Sequence, residues 1–87
     1  MFYTQSEKVK VKIVGNETAL YVSDQKSIHV LNETALFIWE ALQDPFTFHE
    51  LLYMLSEVFD GDPAKMKEDL HETLDLFLRY DLVRTGT

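Results

Sequence analysis

Three histidines and a run of carboxylates are the side chains of this 87-residue chain best suited to chemistry. His29, His49 and His71 stand far apart, none at ligand spacing from another, and no cysteine is present to complete a tetrahedral metal site or act as a nucleophile. Each reads as a surface histidine, His49 at the start of a helix and His71 on a polar helix side. Glu68, Asp69, Glu72 and Asp75 read as a solvated helix face, with Asp69 displaced toward one flank of it. The three glycines form no phosphate loop, and no Gly-x-Ser-x-Gly run occurs. The side chains therefore give catalysis no support, and the chain reads as a non-enzyme without metal or cofactor.

The elements that hold these residues follow from periodicity. Val9, Val11 and Ile13 alternate with Lys8, Lys10 and Lys12, a strand with one apolar and one basic face, the lysines reading as a solvated outer surface. Gly15-Asn16 is a two-residue hairpin signal, and pairing Val14 with Glu17 sets Ile13 opposite Thr18, Val11 opposite Leu20 and Val9 opposite Val22. For the next connection, around Ser23-Asp24-Gln25-Lys26, a two-residue loop sets Val22 opposite Ser27 and turns Ile28 and Val30 outward. A three-residue bulged turn sets Val22 opposite Ile28 and Leu20 opposite Val30, which places both in the core and is the expected geometry.

Leu31-Asn32 is a hinge from strand to helix. Asn32 is placed as an N-cap, and Ala35, Ile38, Trp39 and Leu42 form one helical face bearing the only tryptophan. Asp44-Pro45 ends that helix. Thr47 with Glu50 is a capping box and Phe46 with Leu51 a hydrophobic staple, opening a helix that runs to Asp60-Gly61, where Gly61 suits a left-handed cap. Asp62-Pro63 opens a third helix, and Leu82-Val83-Arg84 reads as a short strand or a frayed end. Phe37, Tyr53 and Met54 are expected to pack between helices. The fold class is α+β, winged helix-turn-helix-like: a three-stranded antiparallel meander (about 8–14, 17–23 and 27–31) followed by three α-helices (about 33–43, 48–60 and 63–80), one domain over 1–87.

With 46% apolar residues the chain builds one small core, and the absence of cysteine fits a reducing compartment. No basic n-region with an apolar run is present at the start, so a soluble cytoplasmic protein without membrane contact is expected. The net charge of −7 is uneven: residues 32–87 hold twelve acidic against four basic residues, a net of −8. The alternative of a winged-helix nucleic-acid binder is disfavoured, since residues 62–81 carry six acidic and three basic residues, the reverse of a recognition helix.

Two features remain unexplained by a bare scaffold. The third helix has a core stripe of Met66, Leu70, Leu74, Phe77 and Leu78, and at about 100° per residue Asp69, Thr73, Leu76 and Tyr80 form a flank beside it that needs covering, by the hairpin, by the tail or by a partner. The third strand of the meander is an edge with neither charge nor proline, Ser27, Ile28, His29, Val30 and Leu31, whereas the first is guarded by lysines. An unguarded edge beside such a flank suits an extended peptide adding as a strand.

The run Leu31-Asn32-Glu33-Thr34-Ala35 followed by Ile38-Trp39, with Thr47, Glu50-Leu51, Asp69, Leu74, Leu78 and Leu82-Val83, resembles the PqqD-like proteins, also called peptide recognition elements of ribosomally made, modified peptides. The resemblance runs from about Leu20 to Val83, with Asp81 where the family usually has glycine. It implies that a precursor's leader segment adds to the third strand, against the third helix, and is delivered to a modifying enzyme such as a radical-SAM protein. It implies a peptide-binding set of Ser27, Ile28, His29, Val30, Leu31, Asp69, Thr73, Leu76 and Tyr80. A monomer or weak homodimer is expected, because the same edge is able to pair with its own copy.

Overall fold

The computed structural model describes residues 1–24 and 26–87. Along the chain lie β1 (Phe2–Gln5), β2 (Val9–Val14), β3 (Glu17–Val22), β4 (Ile28–Leu31), α1 (Glu33–Ala41), α2 (Phe48–Val58), α3 (Pro63–Arg79) and β5 (Val83–Gly86). The architecture is α+β: β2, β3 and β4 form an antiparallel meander in that order, and three helices follow it. β2 pairs with β3 in the register that the alternation requires, Val14 opposite Glu17 and Val11 opposite Leu20. Gly15 at φ +61° followed by Asn16 at negative φ has the sign pattern of a type II′ turn, whose twist suits a two-residue hairpin.

The register of β4 differs from the expected one. Tyr21 faces Ile28, Leu20 faces His29, Ala19 faces Val30 and Thr18 faces Leu31. Directly opposed residues share a sheet face, so His29 and Leu31 lie with Leu20 on the core side, while Ile28 and Val30 are 62% and 58% exposed on the outer side. The cause is at the far end of the strand. Leu31 runs into α1 through Asn32, and only an inward Leu31 (9% exposed) continues into the core beside Ala35 and Ile38. With the strand's period of two, an inward Leu31 fixes Val30 and Ile28 outward. The bulged turn expected over Ser23-Asp24-Gln25-Lys26 includes Gln25, which lies outside the described residues.

His29 is therefore not a surface residue but half-buried on the core face. Two further expectations change. Val11 and Ile13 share the core face yet are 49% and 72% exposed, because β2 makes its main contacts with β3 and none of that extent with a helix. Tyr53, expected between helices, is exposed, whereas Phe37 packs edge-on against Phe59 with ring centroids 5.6 Å apart.

The helices start where capping chemistry places them. Asn32 Oδ1 accepts from the Ala35 N–H at 2.8 Å, and Thr47 and Glu50 complete a reciprocal capping box. Asp62 Oδ1 accepts from the Ala64 N–H at 3.0 Å with Pro63 in the first turn. Gly61 takes φ +154°, positive but not the expected left-handed helical value, and Phe59 ends α2 in an extended conformation. At the end of α3, Asp81 adopts φ +57°, while Leu82 N–H donates to Phe77 O at 2.8 Å and Asp81 N–H to Leu78 O at 3.2 Å. This is a Schellman cap with aspartate in the position that favours glycine.

β1 was not legible as a strand. It pairs antiparallel with β5, from Phe2 opposite Gly86 to Gln5 opposite Val83, and so brings the two chain ends together. It also closes the end of α1: Gln5 N–H donates to Leu42 O at 2.9 Å and Gln5 Nε2 to Trp39 O at 2.8 Å, satisfying carbonyls a helix end leaves free. Trp39, 8% exposed, donates through Nε1 to Leu82 O at 3.4 Å. Around it Leu20, Ile38, Leu51, Leu55, Leu70 and Phe77 are fully buried. Among the described residues no helix is long and apolar enough to cross a membrane.

Urea unfolding followed by tryptophan fluorescence checks this packing. Leu31→Ala is expected to cost about 2–5 kcal/mol and Val30→Ala under about 1 kcal/mol, the reverse of what an inward Val30 requires. Asp81→Gly is expected to stabilise the fold by about 0.5–1 kcal/mol, because glycine relieves the left-handed backbone.

Candidate functional site

The free edge of β4 is defined by hydrogen-bond parity. In a two-residue hairpin the residues flanking the loop exchange both backbone bonds, so Val14 with Glu17, Lys12 with Ala19 and Lys10 with Tyr21 are the bonded pairs of β2 and β3. Thr18 and Leu20 then turn their backbone groups the other way, toward Leu31 and His29 of β4. The N–H and C=O groups of Ile28 and Val30 consequently point out from the sheet, at its β4 edge. These are two donors and two acceptors at the spacing an added strand needs.

Beside this edge runs a groove of about 300 Å³ between β4 with the start of α1 and the flank of α3. Its β4 side is formed by His29 to Asn32 and Ala35, its α3 side by Glu72, Thr73, Leu76 and Phe77. Phe77 and Leu31 are buried and make an apolar floor, while Leu76 is 38% exposed. Tyr80 stands at one end, its ring centroid 4.2 Å from that of His29 at an interplanar angle of 46°. The buried Nε2 of His29 has no hydrogen-bond partner among the described residues.

At the other end the groove opens into a polar depression of about 220 Å³ lined by Asn32, Thr34, Asp69, Glu72 and Thr73. Asp69 is paired with Lys65, one turn earlier, at 2.9 Å. Hydrogen bond and charge together hold the Lys65 ammonium above its ordinary value. From Asp69 to Tyr80 the helix rises about 16 Å, the length of about five extended residues.

The residues expected from sequence are thus distributed in three ways. His29, Val30, Leu31, Thr73 and Leu76 line one groove; Tyr80 closes its aromatic end through His29. Asp69 belongs to the polar depression beyond it. Ile28 is at the edge through its backbone and faces its side chain away, and Ser27 is exposed just before β4. Asn32, Ala35, Glu72 and Phe77 were not expected in the lining. The signal for the helical pair was present, since Glu72 and Phe77 flank Thr73 and Leu76 on the same helix. His71, by contrast, lies elsewhere, stacked on Phe48 with ring centroids 4.2 Å apart.

Comparison with known proteins adds a family. A family model described as coenzyme PQQ synthesis protein D (PqqD) matches residues 17–83. Two solved structures share the fold over nearly the whole chain. One, described as TbiB1 in complex with the TbiA(beta) leader peptide, is 17% identical, covers 97% of this chain and 98% of its own, and has a TM-score of 0.79. The other, lasso peptide synthetase B1 complexed with the leader peptide, is 13% identical, covers 95% and 98%, and has a TM-score of 0.78. No curated protein matches.

Amide hydrogen exchange reads the parity of the edge directly. The N–H groups of His29 and Leu31 are expected to be protected by β3, and those of Ile28 and Val30 to exchange at least about tenfold faster. Equal protection along β4 would mean that the outward groups are not free.

Proposed function

The chain belongs to the PqqD family, and from that membership and the open β4 edge we propose that it is a non-catalytic adaptor for ribosomally made precursor peptides. The leader segment adds as a strand to β4, against α3, and the adaptor presents it to a modifying enzyme such as a radical-SAM protein. The observation that carries this reading is the outward backbone of Ile28 and Val30 lying directly beside an apolar-floored groove. The two structural neighbours, by their descriptions, are complexes with leader peptides.

The energetics favour a groove as well as an edge. Four backbone hydrogen bonds at a net ~0.5–1.5 kcal/mol each give ~2–6 kcal/mol, against at least ~4 kcal/mol lost on association. Side chains seated over Leu31, Leu76 and Phe77 must supply the difference. A peptide bound in this position uses the proposed set Ser27, Ile28, His29, Val30, Leu31, Asp69, Thr73, Leu76 and Tyr80, joined by Asn32, Ala35, Glu72 and Phe77. The setting is cytoplasmic, and the binding form is the monomer, since a homodimer through β4 would cover the same edge. Duplex DNA is a poor partner for the acidic flank of α3.

The test titrates a labelled leader segment of a ribosomally made precursor peptide. Val30→Pro removes an outward N–H while leaving the β3 ladder intact, and is expected to weaken binding about tenfold or more. Leu76→Asp is expected to do the same by spoiling the apolar wall, and Lys10→Glu on the far strand to change affinity less than about twofold. Proline at His29 is unsuitable, because its N–H serves β3. If Lys10→Glu is as damaging as Val30→Pro in variants that remain folded by circular dichroism, the edge is not the site.

A further inference from the structure

The groove is asymmetric along its length, and the asymmetry has a spacing. Toward α3's C-terminal end its walls are Leu76 and Phe77 with Leu31 and Ala35 opposite, an apolar seat. Toward the other end it runs, through the shared residues Asn32, Glu72 and Thr73, into the depression that also holds Asp69. Two carboxylates stand there among neutral polar side chains, and the charge of each acts on Lys65. Asp69 already holds Lys65, whereas Glu72 has no ion-pair partner among the described residues. Glu72 and Leu76 are four residues apart on one helix, a rise of about 6 Å. Residues two apart in an extended strand share a face and stand about 6.6 Å apart. A strand lying in the groove therefore offers successive same-side side chains to the apolar seat and to Glu72.

Direction follows from topology. β4 runs from His29 toward Asn32, while α3 runs from Asp69, beside Asn32, toward Tyr80, beside His29. The existing meander is antiparallel throughout, and antiparallel pairing is the slightly more stable kind. A strand added antiparallel to β4 passes the carboxylate end first and the apolar seat two residues later.

Resting on the proposed strand addition, we propose that the bound segment is of the class basic-x-apolar: a lysine or arginine facing Glu72, and two positions later an aliphatic or aromatic side chain seated between Leu31 and Leu76. Glu72 is thus the specificity-determining residue of the groove. The net charge of −8 over residues 32–87 favours the same sign of partner at longer range.

The test is selection from a displayed library of random decapeptides on the full chain and on its Glu72→Lys variant, followed by amide spectra of β4 with the selected peptides. The expected result is enrichment of basic-x-apolar peptides that shift the Ile28 and Val30 amides, with preference at the first position changing to acidic on Glu72→Lys. A basic peptide should lose about three- to fivefold in affinity on that change, the size of a partly exposed ion pair. Peptides that shift β4 but show no basic preference, the reverse order, or a preference indifferent to Glu72→Lys overturn the inference and leave strand addition standing. Selected peptides that do not shift β4, or no selected peptides at all, overturn strand addition and the inference with it. Glu72 is exposed, so an unchanged amide spectrum away from the groove confirms that the variant is folded.

Discussion

The burial of Leu31 under the start of α1 is the constraint on which the site depends. Asn32 caps the helix immediately after the strand ends, so the chain has no slack with which to rotate β4. Leu31 must enter the core, and the period of two then decides every other residue of the strand. His29 goes inward against Tyr80, and Ile28 and Val30 go outward with their backbone groups directed away from β3. A one-residue slip would turn the Ile28 and Val30 groups toward β3, present those of His29 and Leu31 at the edge instead, and bury the wrong side chains. The same hinge that starts the helical layer thereby decides which backbone groups of the edge point outward.

Under the proposed strand addition the layers divide the labour of recognition. The meander supplies backbone groups that carry no sequence information, and its two edges differ: β2 presents Lys10 and Lys12, which discourage strand addition, while β4 presents no charge. The helical layer supplies the side chains and nearly all the negative charge. Because α3 follows the groove for about five extended residues, the proposed strand addition assigns discrimination between peptides to a short stretch of one helix. The paired chain ends, β1 on β5, keep that helix in place: they close the carbonyls at the end of α1 and anchor the Schellman cap of α3 beside Trp39.

Much of this was legible because local chemistry and tertiary structure agree. The capping box at Thr47, the Asp62-Pro63 start, the Gly15-Asn16 hairpin and the apolar face bearing Trp39 each specify a short stretch by short-range rules. The register of β4 was not legible from its own residues. Ile28 and Val30 are the more hydrophobic pair, and alternation alone puts them inside; what overrides it is Leu31, whose inward position is imposed by the following helix. β1 was illegible for a different reason: Phe2-Tyr3-Thr4-Gln5 has no turn to a partner, since the partner is at the opposite end of the chain. The groove was half visible, its strand through missing charge and its helix through an unpaired flank. Glu72 was hidden among four carboxylates that sequence gives no reason to distinguish.

Couplings across hydrogen bonds read out whether an extended peptide pairs with the outward groups of β4. With ¹⁵N-labelled protein and a bound, ¹³C-carbonyl-labelled peptide, couplings are expected from the Ile28 and Val30 amide nitrogens to peptide carbonyls, and none from His29 or Leu31. Couplings from His29 or Leu31, or a saturated complex showing none along β4, would contradict that pairing.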